Sequence, residues 1–64
     1  MKNELKQARE DVNISQEELS IKSGVSRTTI SELENGKTER ITNITLEKLA
    51  NALGKKVSDI FFKE

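Results

Sequence analysis

Two helix starts follow one another so closely in residues 15–36, SQEELSIKSGVSRTTISELENG, that only a sharp turn fits between them. Ser15 and Glu18 have the spacing of a capping box, in which each side chain satisfies a backbone amide that a helix start leaves without a partner. Ile14 and Leu19 bracket that start as a hydrophobic staple. A helix is therefore expected from Gln16 to Ser23, with Leu19 facing inward and Ile21 and Ser23 near the edges of the buried face. Gly24 ends it, because glycine takes a positive φ without steric cost and lets the chain reverse. The device then repeats: Val25 and Ile30 are spaced as a staple around Ser26 as N-cap, and a second helix runs to Asn35 and Gly36. Ser20 lies one turn into the first of these helices, where the pair crosses closely. A small side chain fits there, and a leucine would pry the helices apart.

The rest of the chain has to shelter that unit. With 64 residues there is room for one small domain spanning 1–64, which buries only about 60% of the surface its unfolded chain exposes. Proline is absent and glycine occurs only at 24, 36 and 54, each just past an apolar-periodic segment, so the expected class is all-α. Leu5, Ala8 and Val12 form a thin stripe on a first helix over roughly residues 2–12. Residues 37–43, KTERITN, have no periodicity and read as a loop. Leu46, Leu49, Ala50 and Leu53 follow at i, i+3, i+4 and i+7 on a helix capped by Thr42 or Thr45 and ended by Gly54. A last helix opens with Ser58 as cap and Val57 and Phe62 as staple, offering Ile60 and Phe61 to the core. The sum is a compact five-helix bundle.

Several kinds of function are excluded by what is missing. Without cysteine or histidine there is no thiolate or imidazole ligand, so neither a metal nor a cofactor is expected. The same absence, with no glycine-rich phosphate loop and no carboxylate pair placed in a cleft, rules out an enzyme. The longest apolar run, Ile60 to Phe62, is far too short for a membrane span, and the first residues lead into no signal-peptide core, so the expected location is the cytoplasm. Eleven basic side chains balance eleven acidic ones. A net charge of zero argues against nucleic-acid binding unless a local patch does the work.

A glycine turn between two short helices is a helix-turn-helix. Through Gln16, Leu19, the small Ser20, Gly24, Val25, Ile30, Leu33 and the Glu34-Asn35-Gly36 ending, the chain resembles the Xre/Cro/phage-repressor helix-turn-helix family over nearly its whole length. The resemblance implies a lambda-repressor-like fold and a transcriptional regulator, a repressor, that binds double-stranded DNA. The second helix of the motif would enter the major groove, with Arg27, Thr28 and Glu32 toward base edges. Arginine suits the O6 and N7 acceptors of guanine, threonine a donor contact or a thymine methyl, and glutamate the N4 amine of cytosine. Gln16, Ser26, Thr29, Ser31, Asn35, Lys37 and Arg40 fall at positions that resemble the family's backbone contacts, and helix N-termini suit anions through free amides and dipole. The loop departs from the family pattern, with Ile41 about where a proline usually stands. Arg9, at the edge of the first helix's buried stripe, needs an anionic partner, and the family pattern supplies Glu34.

One recognition helix covers only a few base pairs, so a homodimer on a pseudo-palindromic operator is expected. Nothing before residue 54 offers spare apolar surface, whereas adjacent Phe61 and Phe62 cannot both point inward, which places the surplus ring at the partner. The alternative is a protein-interaction module, such as an antitoxin or antirepressor-type partner, on the same fold. Salt separates the two, because phosphate contacts weaken steeply with ionic strength and apolar contacts do not.

Overall fold

The computed structural model describes residues 3–37 and 41–61. In chain order it forms α1 (Leu5–Asp11), α2 (Gln16–Ser23), α3 (Arg27–Glu34), α4 (Asn43–Ala52) and α5 (Val57–Ile60), with no strand among the described residues. The helices are short and their ends are specified by local chemistry. Ser15 Oγ accepts the Glu18 amide at 3.0 Å while a Glu18 carboxylate oxygen accepts the Ser15 amide at 2.8 Å, so both halves of the capping box close. Ser26 Oγ accepts the Thr29 amide at 3.2 Å, and Thr42, of the two candidates, caps α4 by accepting the Thr45 amide at 3.2 Å.

The C-terminal ends use one device repeatedly. At the end of α3 the Gly36 amide donates to Leu33 O at 3.0 Å and the Lys37 amide to Glu32 O at 2.8 Å. This pair of crossed bonds is a Schellman motif, and it needs the positive φ of 82° that Gly36 adopts. Gly54 does the same for α4, with φ 67°. At the end of α1 the residue in that role is Asn13, with φ 58°, so the helix stops at Asp11. Val12 becomes the cap residue and is 47% exposed, where the apolar stripe had placed it inside.

Leu5, Ala8, Leu19, Val25, Ile30, Leu33, Leu46, Leu49, Ala50, Leu53, Ile60 and Phe61 form one buried cluster drawing on every helix, with Ile14, Ile41, Ala52 and Val57 against its margin. α2 packs against α3 and α4, α1 against α3, and α5 closes against α4. Both staples therefore reach the core through Leu19 and Ile30.

Three sequence expectations fail here for physical reasons. Ser58 does not cap α5: the helix begins behind Lys56, two residues earlier, whose amide donates to the Asp59 carboxylate at 3.1 Å. Phe61 is fully buried in its own chain's core, because a domain this small needs its largest side chain for itself, so it is withdrawn as a dimer contact. Spare apolar surface does exist before residue 54: Ile21 is 78% and Ile44 65% exposed. Ile21 lies two positions from Leu19, about 200° around the helix, and so turns outward rather than to the edge of the buried face.

Candidate nucleic-acid interface

The sharp turn after Gly24, whose φ is 75°, sets α3 across α2 with Ile30 and Leu33 buried. That burial fixes which way α3 turns its other side. Arg27, Thr28 and Glu32 are exposed, with Ser31 half-buried on the same face and Asn35 exposed at the helix end. The base-reading candidates thus share one outward surface, at the helical spacing i, i+1 and i+5.

Around this face stand the candidates for phosphate contact, several of them already hydrogen-bonded within the chain. The Ser26 hydroxyl donates to Thr29 Oγ1 at 2.9 Å while accepting the Thr29 amide, so its hydrogen is engaged and that of Thr29 remains for an outside acceptor. Asn35 Nδ2 turns back onto Ser31 O at 2.9 Å, which leaves its second N–H and its carbonyl oxygen. Lys37 is exposed just beyond the α3 end. Arg40 and Phe62 lie outside the described residues.

Gln16 is anchored from behind. Its Nε2 donates to Glu34 Oε1 at 3.1 Å, and the same carboxylate receives Arg9 Nε at 2.8 Å and Arg9 Nη2 at 3.1 Å. Arg9 is completed by Nη1 donating to Ile14 O at 2.8 Å. The Arg9–Glu34 pair expected from the family pattern is therefore present as a two-point fork, and its side chains are only 12% and 5% exposed. Burial pushes the Glu34 carboxyl up, but hydrogen bonds from Arg9 and Gln16 and the positive charge of Arg9 outweigh it and hold the group below its ordinary value. Arg9 is correspondingly raised, first by its hydrogen bond to Glu34. One carboxylate thus ties α1, the start of α2 and the end of α3 into a single frame.

A second tie has no counterpart in the sequence expectations. Asn3 Nδ2 donates to Leu33 O at 2.9 Å, and Asn3 Oδ1 accepts the Leu5 amide at 3.0 Å. An asparagine two residues before the first apolar position is a recognisable turn signal. Its partner thirty positions away is not readable from spacing.

Among the described residues no group of three or more His, Cys, Asp or Glu side chains is placed to hold a metal ion, and no helix is long and apolar enough to cross a membrane. The fold and the outward polar face of α3 define a helix-turn-helix domain. Comparison with known proteins agrees: the helix-turn-helix family matches residues 5–60. The chain is also 44% identical over 64 residues to an uncharacterized HTH-type transcriptional regulator of Methanocaldococcus jannaschii, covering 100% of this chain and 96% of that protein. The chain belongs to the helix-turn-helix family of DNA-binding transcriptional regulators, of the Xre/Cro type that its motif residues resemble. No solved structure matches it.

Proposed function

We propose that the protein is a sequence-specific repressor that binds double-stranded DNA in the cytoplasm as a homodimer, with α3 in the major groove. The observation that carries this is the two-sidedness of α3: Ile30 and Leu33 are buried, while Arg27, Thr28 and Glu32 project together from a helix braced at its C-terminal end. In this reading Arg27 takes guanine O6 and N7, Thr28 a neighbouring base, and Glu32 a cytosine amine. Gln16, Ser26, Thr29, Ser31, Asn35, Lys37 and Arg40 meet the backbone on either side. The whole chain, residues 1–64, serves as one DNA-binding unit.

Size supports dimerisation. The folded chain extends 24 × 20 × 19 Å, less than the roughly 34 Å between successive major grooves on one face of B-DNA. One copy therefore addresses one half-site, which gives too little discrimination against competing genomic DNA. Selection from a pool of random duplexes tests both parts at once. The expected product is a pseudo-palindrome with half-site centres about one helical turn apart. Recovery of no sequence above background would reject specific DNA binding, and recovery of a single short asymmetric site would reject the dimer.

A further inference from the structure

We infer that Asn3 is a positioning residue for the DNA-facing helix, acting without touching DNA by fixing the turn that follows α3. It rests on the reading of Asn35 and Lys37 as phosphate contacts given above.

The Schellman motif at the end of α3 uses the carbonyls of Glu32 and Leu33 to hold the Lys37 and Gly36 amides. A carbonyl oxygen has two lone pairs, and Leu33 O uses both, taking Gly36 N at 3.0 Å and Asn3 Nδ2 at 2.9 Å. The Asn3 carboxamide thus reaches the same oxygen that shapes the Asn35–Gly36–Lys37 turn. Asn3 is itself held through the two residues that follow it. Its Oδ1 accepts the Leu5 amide at the start of α1, and the next residue's amide, that of Glu4, donates to Ile60 O at 2.8 Å. The donor presented to Leu33 is therefore oriented by contacts outside α3 as well.

The position of this bond matters as much as its strength. Arg9 grips Glu34 and Asn3 grips Leu33, so α1 and the residue ahead of its N-cap hold two consecutive residues of α3. Burial of Ile30 and Leu33 seats α3, and the Arg9 contact holds Glu34. The Asn3 contact adds a restraint at the end of α3 where the chain turns toward Lys37. The Arg9 contact acts through a side chain, whereas the Asn3 contact acts on the backbone of the turn itself.

Two substitutions separate this role from simple capping of α1. Asn3→Asp keeps an acceptor for the Leu5 amide and adds a negative charge that favours a helix start, but it sets an oxygen against Leu33 O. Asn3→Ser keeps a shorter acceptor and loses the donor without adding charge. Amide hydrogen exchange on free protein, under conditions where thermal scans show all variants folded, reads the turn directly. The Gly36 and Lys37 amides should exchange faster in both variants, and more so in Asn3→Asp, although a capping role alone would leave Asn3→Asp as protected as wild type. On a selected duplex, Asn3→Ser should weaken binding roughly three- to tenfold, the span of one neutral hydrogen bond. That loss should shrink in a Lys37→Ala background, because both changes act through the same phosphate contact.

Unchanged exchange at Gly36 and Lys37 in both variants would overturn the positioning role. So would a DNA-binding loss that adds in full to that of Lys37→Ala. If wild type binds no duplex while exchange still responds, the DNA reading falls, and with it the functional half of the inference, leaving Asn3 a structural clamp only.

Discussion

Arg9→Ala removes one end of the frame that joins α1, α2 and α3, and its cost follows from the hydrogen bonds that the guanidinium makes. Arg9 donates two charge-assisted bonds to Glu34, at 2.8 and 3.1 Å, and one to Ile14 O at 2.8 Å. Truncation leaves the Glu34 side chain, 5% exposed, with Gln16 as its remaining hydrogen-bond partner. Breaking a buried pair by removing one partner costs about 3–5 kcal/mol. Glu34 stands in the last turn of α3, where its carboxylate can rotate toward water, so the lower end, about 3 kcal/mol, is expected. Total stability for a chain of this size is roughly 3–10 kcal/mol, and each kcal/mol shifts Tm by about 4–8 °C, which gives a fall of roughly 12–24 °C. The pH dependence has a definite sign. In wild type the folded Glu34 carboxyl lies below its ordinary value of 4.5, so the pair's contribution is complete above that value and is lost as pH falls through the folded-state value. The gap between wild type and Arg9→Ala should therefore be widest at neutral pH and narrow on acidification below about pH 4.5. Urea unfolding followed by circular dichroism measures both. A destabilisation below about 0.5 kcal/mol at pH 7, within the range of an exposed pair, or a gap independent of pH, would refute the account of this frame.

Arg27→Ala should cost roughly 1–3 kcal/mol of binding and relax preference at one base pair, whereas Lys37→Ala should weaken all duplexes alike and reduce the salt slope, both read by competition titrations. Ser15→Ala opens one half of the capping box and should lower stability by about 1 kcal/mol in denaturant unfolding. Gly24→Ala meets no neighbouring atom within 4 Å, so its cost, of the order of 1 kcal/mol, would come from the positive φ alone and should be matched or lessened by Gly24→Asn.

The helix-turn-helix was legible because its signals are local. Ser15, Glu18 and Ser26 act on amides within one turn, and the observed starts of α2 and α3 fall where those residues put them, as the end of α2 does at Gly24. The buried faces of α3 and α4 were equally legible, since Ile30, Leu33, Leu46, Leu49, Ala50 and Leu53 follow helical spacing. The Arg9–Glu34 link came through family resemblance, and periodicity alone gave only an arginine in want of an anion. Where the sequence misled, competition for a small core decided. Phe61, offered both to the core and to a dimer partner, lies fully in the core beside Ile60. Val12 left the stripe because Asn13 took the left-handed conformation and stopped α1 early. The two hydrogen bonds that most organise the back of the interface, Gln16 to Glu34 and Asn3 to Leu33, join residues eighteen and thirty positions apart. Spacing carries no mark of either.

On the proposed reading, a chain with no net charge nevertheless grips DNA through a local set of phosphate contacts around α3. Fluorescence anisotropy of a selected duplex, titrated with protein at a series of salt concentrations, tests it most directly. With Lys37 and Arg40 neutralising phosphates in each half of a dimer, log affinity should fall against log salt with a slope of roughly −3 to −4. An affinity that does not change with salt, or no binding even at low salt, would contradict the claim and favour a protein partner for the same face.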